Sequence, residues 1–480
     1  MNHLCIIGAG ATGVALLNEI VRRQTAQRVT LFDPRPPGQG LAFASPHDWH
    51  LCNTSTGTMS LDTTDPGDFC RWLQDHGQDG DANHFTARST FHAYVADKFF
   101  STIEKAHALG IELRHVHEKA TTLVPRQDGT VEVIGCAGTR RHAQAAVLCP
   151  GVGRPTVPPL VRHLARDETF FASPYSQDFD EFLATRPGAR VLILGTKLSG
   201  IDAAKTCLHH EATAVMSSPS GQLPSVRSAL TLNSPFPITR DAFATMSNSP
   251  PRFRHELLNH LDRAGRDFGH PLREQVSYAD GTEQRLREET ALAESHANLW
   301  QYAIGELIDL ANDVWTHLPK HQMRKLIASC HQWIKRYVSS MPVGNAQQLA
   351  NAMGNGILSV RRLPTSIEPR GTSWRVEFAD GVPMHFDGLV CAVGYDSHPW
   401  SVNGAGTLTL EQQVQPRLPV DASLRVQTAH RRRAPNLWAM GDLSSNRYPV
   451  VNYMHTSVLQ AQTVADGLAR HEAPAGILKR

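Results

Sequence analysis

The hexapeptide Gly8-Ala9-Gly10-Ala11-Thr12-Gly13 constrains this 480-residue chain more tightly than any other feature. It lies between a short apolar run, Leu4-Cys5-Ile6-Ile7, and a helix-like stretch reaching about Arg23. Strand, glycine loop and helix in that order form the turn of a βαβ unit, where a pyrophosphate rests on the positive end of the helix. Gly8 permits the tight turn, Gly10 lets backbone approach the pyrophosphate, and Gly13 lets helix and strand close on each other. Ala11 and Thr12 complete the loop. A second strand-like run, Val29-Thr30-Leu31-Phe32, ends at Asp33, whose carboxylate suits the ribose hydroxyls of an adenine nucleotide.

The chain then leaves the simple nucleotide-domain pattern. The loop Pro37 to Phe43, with Gly40 at its centre, leads into His50-Leu51-Cys52-Asn53, where helix and strand would ordinarily continue. A loop that must reach past the pyrophosphate and cover a larger group, such as a flavin ring, has this form; a structural insert has it equally. Asn53 is the residue placed to hydrogen-bond near such a ring.

A further strand-like run, Ala145 to Cys149, ends at Pro150-Gly151. After a proline-rich linker, Arg190 to Leu194 enters Gly195-Thr196-Lys197-Leu198-Ser199-Gly200 and a second helix from Ile201. This is a second dinucleotide fingerprint, of which Gly195, Lys197, Ser199 and Gly200 are the binding candidates, with Lys197 where the second glycine belongs. Either Lys197 swings over the phosphates as a charge-assisted contact, or it occupies the pyrophosphate seat and the site is vestigial. The strand Thr213 to Met216 runs into Ser217-Ser218-Pro219-Ser220 without an arginine, which leans toward NADH over NADPH, with Arg227 the nearest cation further along.

Residues from about 235 to 345 turn helical and polar, with Leu299, Ile304, Leu307, Ile308 and Val314 at helical spacing. Strand-like runs then return, ending in Asn436-Leu437-Trp438-Ala439-Met440-Gly441-Asp442, before a helix-like stretch Val451 to Leu468. Asp442 suits a ribityl hydroxyl and Gly441 permits close backbone approach, while the positive end of the last helix, with Asn452, Tyr453 and His455, faces the negative edge of a reduced flavin. The expected fold class is α/β, with two Rossmann-like dinucleotide-binding domains, the FAD-binding one discontinuous, and a mostly helical insertion. Expected boundaries are 1–155 and 361–480 for the two parts of the first domain, and 186–360 for the second, with the insertion inside it.

Bulk properties exclude several classes. Net charge is +2 from 47 basic and 45 acidic side chains, too balanced for a nucleic-acid-gripping domain, and Arg431-Arg432-Arg433 reads as a solvated turn. Eight scattered cysteines include no Cys-x-x-Cys pair, which argues against a dithiol centre and fits a reducing cytoplasm. The 25 histidines show no metal-ligand spacing, so no metal is expected. No apolar run is long enough to span a membrane, and no membrane partner is expected.

These motifs, with the Ala392-Val393-Gly394-Tyr395 run, resemble the two-dinucleotide-domain FAD/NAD(P)-binding flavoproteins that include class B monooxygenases, both N-hydroxylating and Baeyer–Villiger. Gly38-x-Gly40-x-Ala42-Phe43, His50-Leu51-Cys52-Asn53, Asp68-Phe69-Cys70-Arg71-Trp72, Phe85-x-x-Arg88 and Ser220-Gly221-x-Leu223-Pro224 are most similar to a poorly characterised bacterial branch of that group. The resemblance implies FAD in the first site and NADH or NADPH in the second. It also implies an NAD(P)H-dependent monooxygenase that uses molecular oxygen on a small amine, amino acid or related metabolite. Asn53 and His455 are the catalytic candidates. The alternatives are a flavin dehydrogenase or oxidase with a vestigial nicotinamide site, and a non-catalytic flavin-binding sensor or scaffold.

Overall fold

The computed structural model describes residues 1–471, apart from 233, 236, 380, 411–417 and 429–432. Arg431 and Arg432 therefore lie outside the described residues.

The first apolar run becomes the strand His3–Ile7, and the glycine loop feeds the helix Ala11–Arg22. That strand lies parallel between Arg28–Phe32 and Ala145–Leu148. The full six-stranded sheet runs Arg425–Gln427, Arg433–Ala439, Ala145–Leu148, His3–Ile7, Arg28–Phe32, Glu112–Val116. Segments from both ends of the chain thus share one sheet, as the interrupted pattern predicts. The strand side chains alternate between two cores. Leu4 and Ile6 join Val14, Leu17 and Ile20 of the first helix and Val458 and Ala461 of the last helix, Met454–His471. Cys5 and Ile7 face the other way, against Leu123, Val133 and Leu408 of a small antiparallel sheet.

The second sheet is parallel throughout, in the order Leu358–Arg362, Thr213–Ser218, Arg190–Leu194, Gly388–Cys391, Phe170–Phe171. The helix Leu198–His209 covers one face, its Ile201 and Ala204 packed with Ile193 and Met216. Three antiparallel strands between Ser366 and Phe386 cover the other through Trp374 and Val376. The chain stays with this sheet as far as Cys391 and regains the first only at Arg425–Gln427, later than the expected return at 361. An apolar run buried on both faces, such as Gly388–Cys391, carries no mark of which sheet it joins.

Between two strands of the second sheet, Thr213–Ser218 and Leu358–Arg362, lie the helices Arg240–Thr245, Pro250–Asp267, Thr282–Glu294, Trp300–Val314 and Lys320–Trp333. Phe243, Phe253, Trp315, Met323 and Leu326 give this insertion its own core. A second cluster, Leu230, Trp300, Ile304 and Ile308, reaches Tyr453 and so docks the insertion at the start of the last helix. Among the described residues, no helix is long and apolar enough to cross a membrane.

Candidate active site

The first fingerprint is built as a cradle. Gly8 has φ +101°, and a β-carbon there would fall on the Cys149 carbonyl, so only glycine makes the turn. Gly10 is the N-cap of the Ala11–Arg22 helix and supplies no side-chain cap, so the N–H groups of the first turn stay open to an anion. A β-carbon on Gly10 would stand 3.2 Å from the Gly40 Cα, so the loop expected to cover a larger group does close onto the fingerprint. Asp33 is buried at the end of its strand. Its Oδ2 accepts from the Ala9 N–H at 2.8 Å and its Oδ1 from the Arg35 N–H at 2.9 Å. Each oxygen keeps a second lone pair for a ribose hydroxyl.

The C-terminal return completes the cradle. Gly441 has φ +64°, and a β-carbon there would stand 3.6 Å from the Thr12 methyl carbon. The Gly441 N–H donates to Gln460 Oε1 at 2.8 Å, and Thr12 Oγ1 lies 3.3 Å from Ser457 Oγ. Gly441-Asp442 and the last helix are therefore pinned beside Thr12. Asn452 is exposed two residues before that helix, and Asn53 is half-buried. Gly151 is exposed with φ +75° just past its strand. An open helix N-terminus, a carboxylate at the strand end and two glycine approaches fit an FAD.

His455, in the first turn of the last helix, meets a residue that sequence reasoning missed: its Nε2 lies 3.3 Å from Asp309 Oδ2. Asp309 comes from the insertion helix Trp300–Val314. A shallow cleft lined by Thr58, Ser60, Leu232, His455, Leu459 and Gln462 opens beside this pair. Tyr453 is buried, and burial together with the Asp309 carboxylate raises its phenol well above the ordinary range. It is a neutral wall, not a base.

The second fingerprint copies the first in two of its three glycines. Gly195 has φ +138°, and a β-carbon there would fall on the Ala392 carbonyl; one on Gly200 would fall on the Gly195 carbonyl, as one on Gly13 would fall on that of Gly8. Lys197 is the N-cap of the Leu198–His209 helix in extended backbone, half-buried and without an acidic partner among the described residues; Ser199 is half-buried in the first turn. Burial, then the neighbouring Arg336 and Lys335 cations, lower the Lys197 ammonium to about 8. Those neighbours belong to the end of the helical insertion, far away in sequence. On the adjoining strand, Arg361 and Arg362 stand in register with Ser217 and Ser218. Lys335 and Arg336 thus stand near a fingerprint whose own loop carries one cation, Arg336 itself ion-paired with Glu289, while Arg361 lies over the Phe378 ring. Arg227 is not among them: its side chain is buried and donates to the Tyr337 and Val338 carbonyls and to Ser340 Oγ. Its expected role as a distant phosphate contact does not survive, because those acceptors hold the guanidinium inside the fold.

Against known proteins, residues 5–153 match a family described as FAD-NAD(P)-binding. No curated protein matches the chain. Among solved structures, L-lysine 6-monooxygenase from Pseudomonas syringae is similar over 98% of this chain and 99% of its own, at 16% identity and TM-score 0.53. Flavin-containing monooxygenase from Stenotrophomonas maltophilia follows at 14% identity and TM-score 0.51, over 98% and 99% of the two chains. Cyclohexanone monooxygenase from Rhodococcus sp. Phi1, bound to NADP+, gives 17% identity and TM-score 0.52, over 98% and 85%. Likeness at these identities establishes the fold. The protein has the two-dinucleotide-domain flavoprotein architecture, with an FAD-NAD(P)-binding domain at its N-terminal end.

Proposed function

We propose that this protein is an NADPH-dependent flavin monooxygenase acting on a small amine, amino acid or related metabolite. The observation that carries the nicotinamide half of the reading is the cation cluster around Lys197. Glu289 pairs with Arg336, but the Lys197 ammonium, lowered by burial and then by Arg336 and Lys335, is still favoured by a further anion, which a nucleotide diphosphate supplies. Arg362, in register with Ser218 at the strand end, supports a 2′-phosphate and hence NADPH.

FAD, when bound, supplies a two-electron redox centre able to accept hydride from a nicotinamide and to pass electrons to oxygen. The chain's residues do the rest. The open N-terminus of the Ala11–Arg22 helix binds the pyrophosphate, Asp33 the ribose, and Asp442 the ribityl chain. Asn53 offers an amide donor and acceptor to the covered ring. The His455–Asp309 pair, Nε2 to Oδ2 at 3.3 Å, offers a base beside the cleft to which a substrate ammonium passes its proton, so that the amine presents a lone pair. The Thr58–Gln462 cleft gives that substrate its approach. Overall, substrate, oxygen, NADPH and a proton give oxygenated substrate, NADP+ and water.

The test is aerobic NADPH consumption by the FAD-loaded protein with a panel of small amines and amino acids. Substrate-stimulated consumption, with a product heavier by one oxygen atom, is expected. Oxidised substrate formed at equal rate without any nicotinamide would replace this reading with a direct dehydrogenase or oxidase. That alternative keeps one observation in its favour, the lysine at the pyrophosphate seat.

A further inference from the structure

Two of the sequence runs, His50-Leu51-Cys52-Asn53 and Phe85-x-x-Arg88, whose His50 and Arg88 the cofactor sites leave unused, turn out to be one object. Leu51 and Ala87 form an antiparallel bridge, the Cys52 N–H donates to the Thr86 carbonyl at 2.9 Å, and the Arg88 N–H donates to the His50 carbonyl at 2.8 Å. Both side chains at the ends of this platform grip the same turn of the second fingerprint helix. His50 is fully buried; its Nε2 lies 2.9 Å from Thr206 Oγ1 and 3.2 Å from the Asp202 carbonyl, and its Nδ1 lies 2.6 Å from Ser45 Oγ. Arg88 reaches the Asp202 carboxylate, itself buried, with NH2–Oδ2 at 3.0 Å. The Tyr175 hydroxyl donates to the same carboxylate at 2.6 Å.

The other arm of Arg88 points back. Its NH1 donates to the Ala42 carbonyl at 3.0 Å. Ala42 sits in the short helical turn Leu41–Phe43 that follows Gly40, and Gly40 is the residue that approaches Gly10. One guanidinium therefore joins the loop covering the first fingerprint to the helix that begins at Lys197. The planar fork makes both bonds at once, which a lysine ammonium on its flexible stem does not reproduce. A charge this deep also holds its partner tightly, because separating them strands both in low dielectric.

We infer that Arg88 is a positioning residue that sets the mutual orientation of the two nucleotide sites, through Ala42 on one side and Asp202 on the other. The inference rests on the reading of the second site as a nicotinamide site. Hydride transfer needs donor and acceptor atoms at near-contact distance, and a displacement of about 1 Å costs on the order of 100-fold in rate. Arg88 touches neither reacting group and acts only by holding their frames together.

The experiment uses the full-length FAD-loaded protein, with Arg88→Lys, Arg88→Met, Asp202→Asn and the Arg88→Met/Asp202→Asn pair. Flavin reduction by NADPH at saturation should slow about 100-fold in Arg88→Met and about tenfold in Arg88→Lys. Reduction by dithionite and the apparent KM for NADPH should hold near the parent values, since each site stays intact. The pair should be no slower than its slower single variant. Amide hydrogen exchange gives a readout that needs no nicotinamide: residues 41–44 and 202–206 should exchange faster together in Arg88→Met, and less so in Arg88→Lys, while the strands of both sheets stay protected. Parent-like reduction rates in both Arg88 variants, or faster exchange on one side only, would overturn the inference. If the parent itself is not reduced by NADPH, the functional reading fails and exchange alone decides the role of Arg88. If Arg88→Met does not fold, the Arg88→Lys exchange and rate decide it.

Discussion

The two fingerprints of this chain share a scaffold and differ at the seat. Gly8 and Gly195 both adopt left-handed backbone against a neighbouring strand's carbonyl, and Gly13 and Gly200 both let a helix lie on the loop. Those glycines serve the fold, so they persist in both halves. The middle position serves the ligand. In the first half Gly10 leaves the helix N-terminus bare and lets the Gly40 loop close in. In the second half Lys197 stands there, with Lys335 and Arg336 from the end of the insertion beside it. The difference teaches that a fingerprint's outer glycines report architecture, while the middle one differs with the seat: on the proposed reading phosphate is held by backbone in one site and by side-chain charge in the other.

The largest effects should come from the shared scaffold. Gly8→Ala or Gly195→Ala puts a β-carbon on a carbonyl in a backbone region alanine avoids, and each should cost about 4 kcal/mol or more, or abolish folding, as read by denaturant titration. Parent-like stability in either would break the claim that these glycines are structural.

The seam between the halves should respond to acid. Burial holds the His50 imidazole down at about 4, against 6.5 in an unfolded chain. The unfolded state therefore takes up the proton first, so this stability is complete above pH 6.5 and lost as pH falls toward 4, by about 3 kcal/mol. Urea titrations at pH 7 and pH 4.5 should show that loss in the parent and much less of it in His50→Asn.

The seats themselves should respond in opposite ways to exchanged residues. Gly10→Lys should weaken FAD binding about 100-fold with the far-UV circular dichroism retained, because a side chain there meets the Gly40 loop and the pyrophosphate path. Lys197→Gly should raise the KM for NADPH about tenfold, the loss of one charge-assisted contact. A lower KM in Lys197→Gly would mean that the lysine blocks its site, and the contrast between the seats would become one of use against disuse.

The smallest effect is a matter of pH. Since Lys197 loses its proton at about 8, NADPH should bind best below that pH and more weakly above it, with a KM that rises through pH 8–9 in the parent and stays flat in Lys197→Met. An identical slope in both would assign the titration elsewhere.

Much of this fold was legible because its signals are local. Each strand, glycine loop and helix of the two fingerprints spans about 20 residues of contiguous sequence, and the Lys197 departure is visible in the same window. The site's other half was not legible, for a physical reason. Lys335 and Arg336 reach Lys197 from the end of the insertion, Arg361 and Arg362 arrive by a strand order the sequence does not write, and Asp309 meets His455 only after the insertion docks. Asp202 did carry a usable signal. A carboxylate among Ile201, Ala203 and Ala204 on a buried helix must find a cation, and Arg88 is that cation.

The most direct test of the central claim, that both seats hold nucleotides in working register, is anaerobic mixing of the FAD-loaded protein with NADPH in a stopped-flow spectrophotometer. Rapid bleaching of the flavin band, faster with NADPH than with NADH, is the predicted result. A flavin that stays oxidised with either nucleotide, yet bleaches with dithionite, would contradict it.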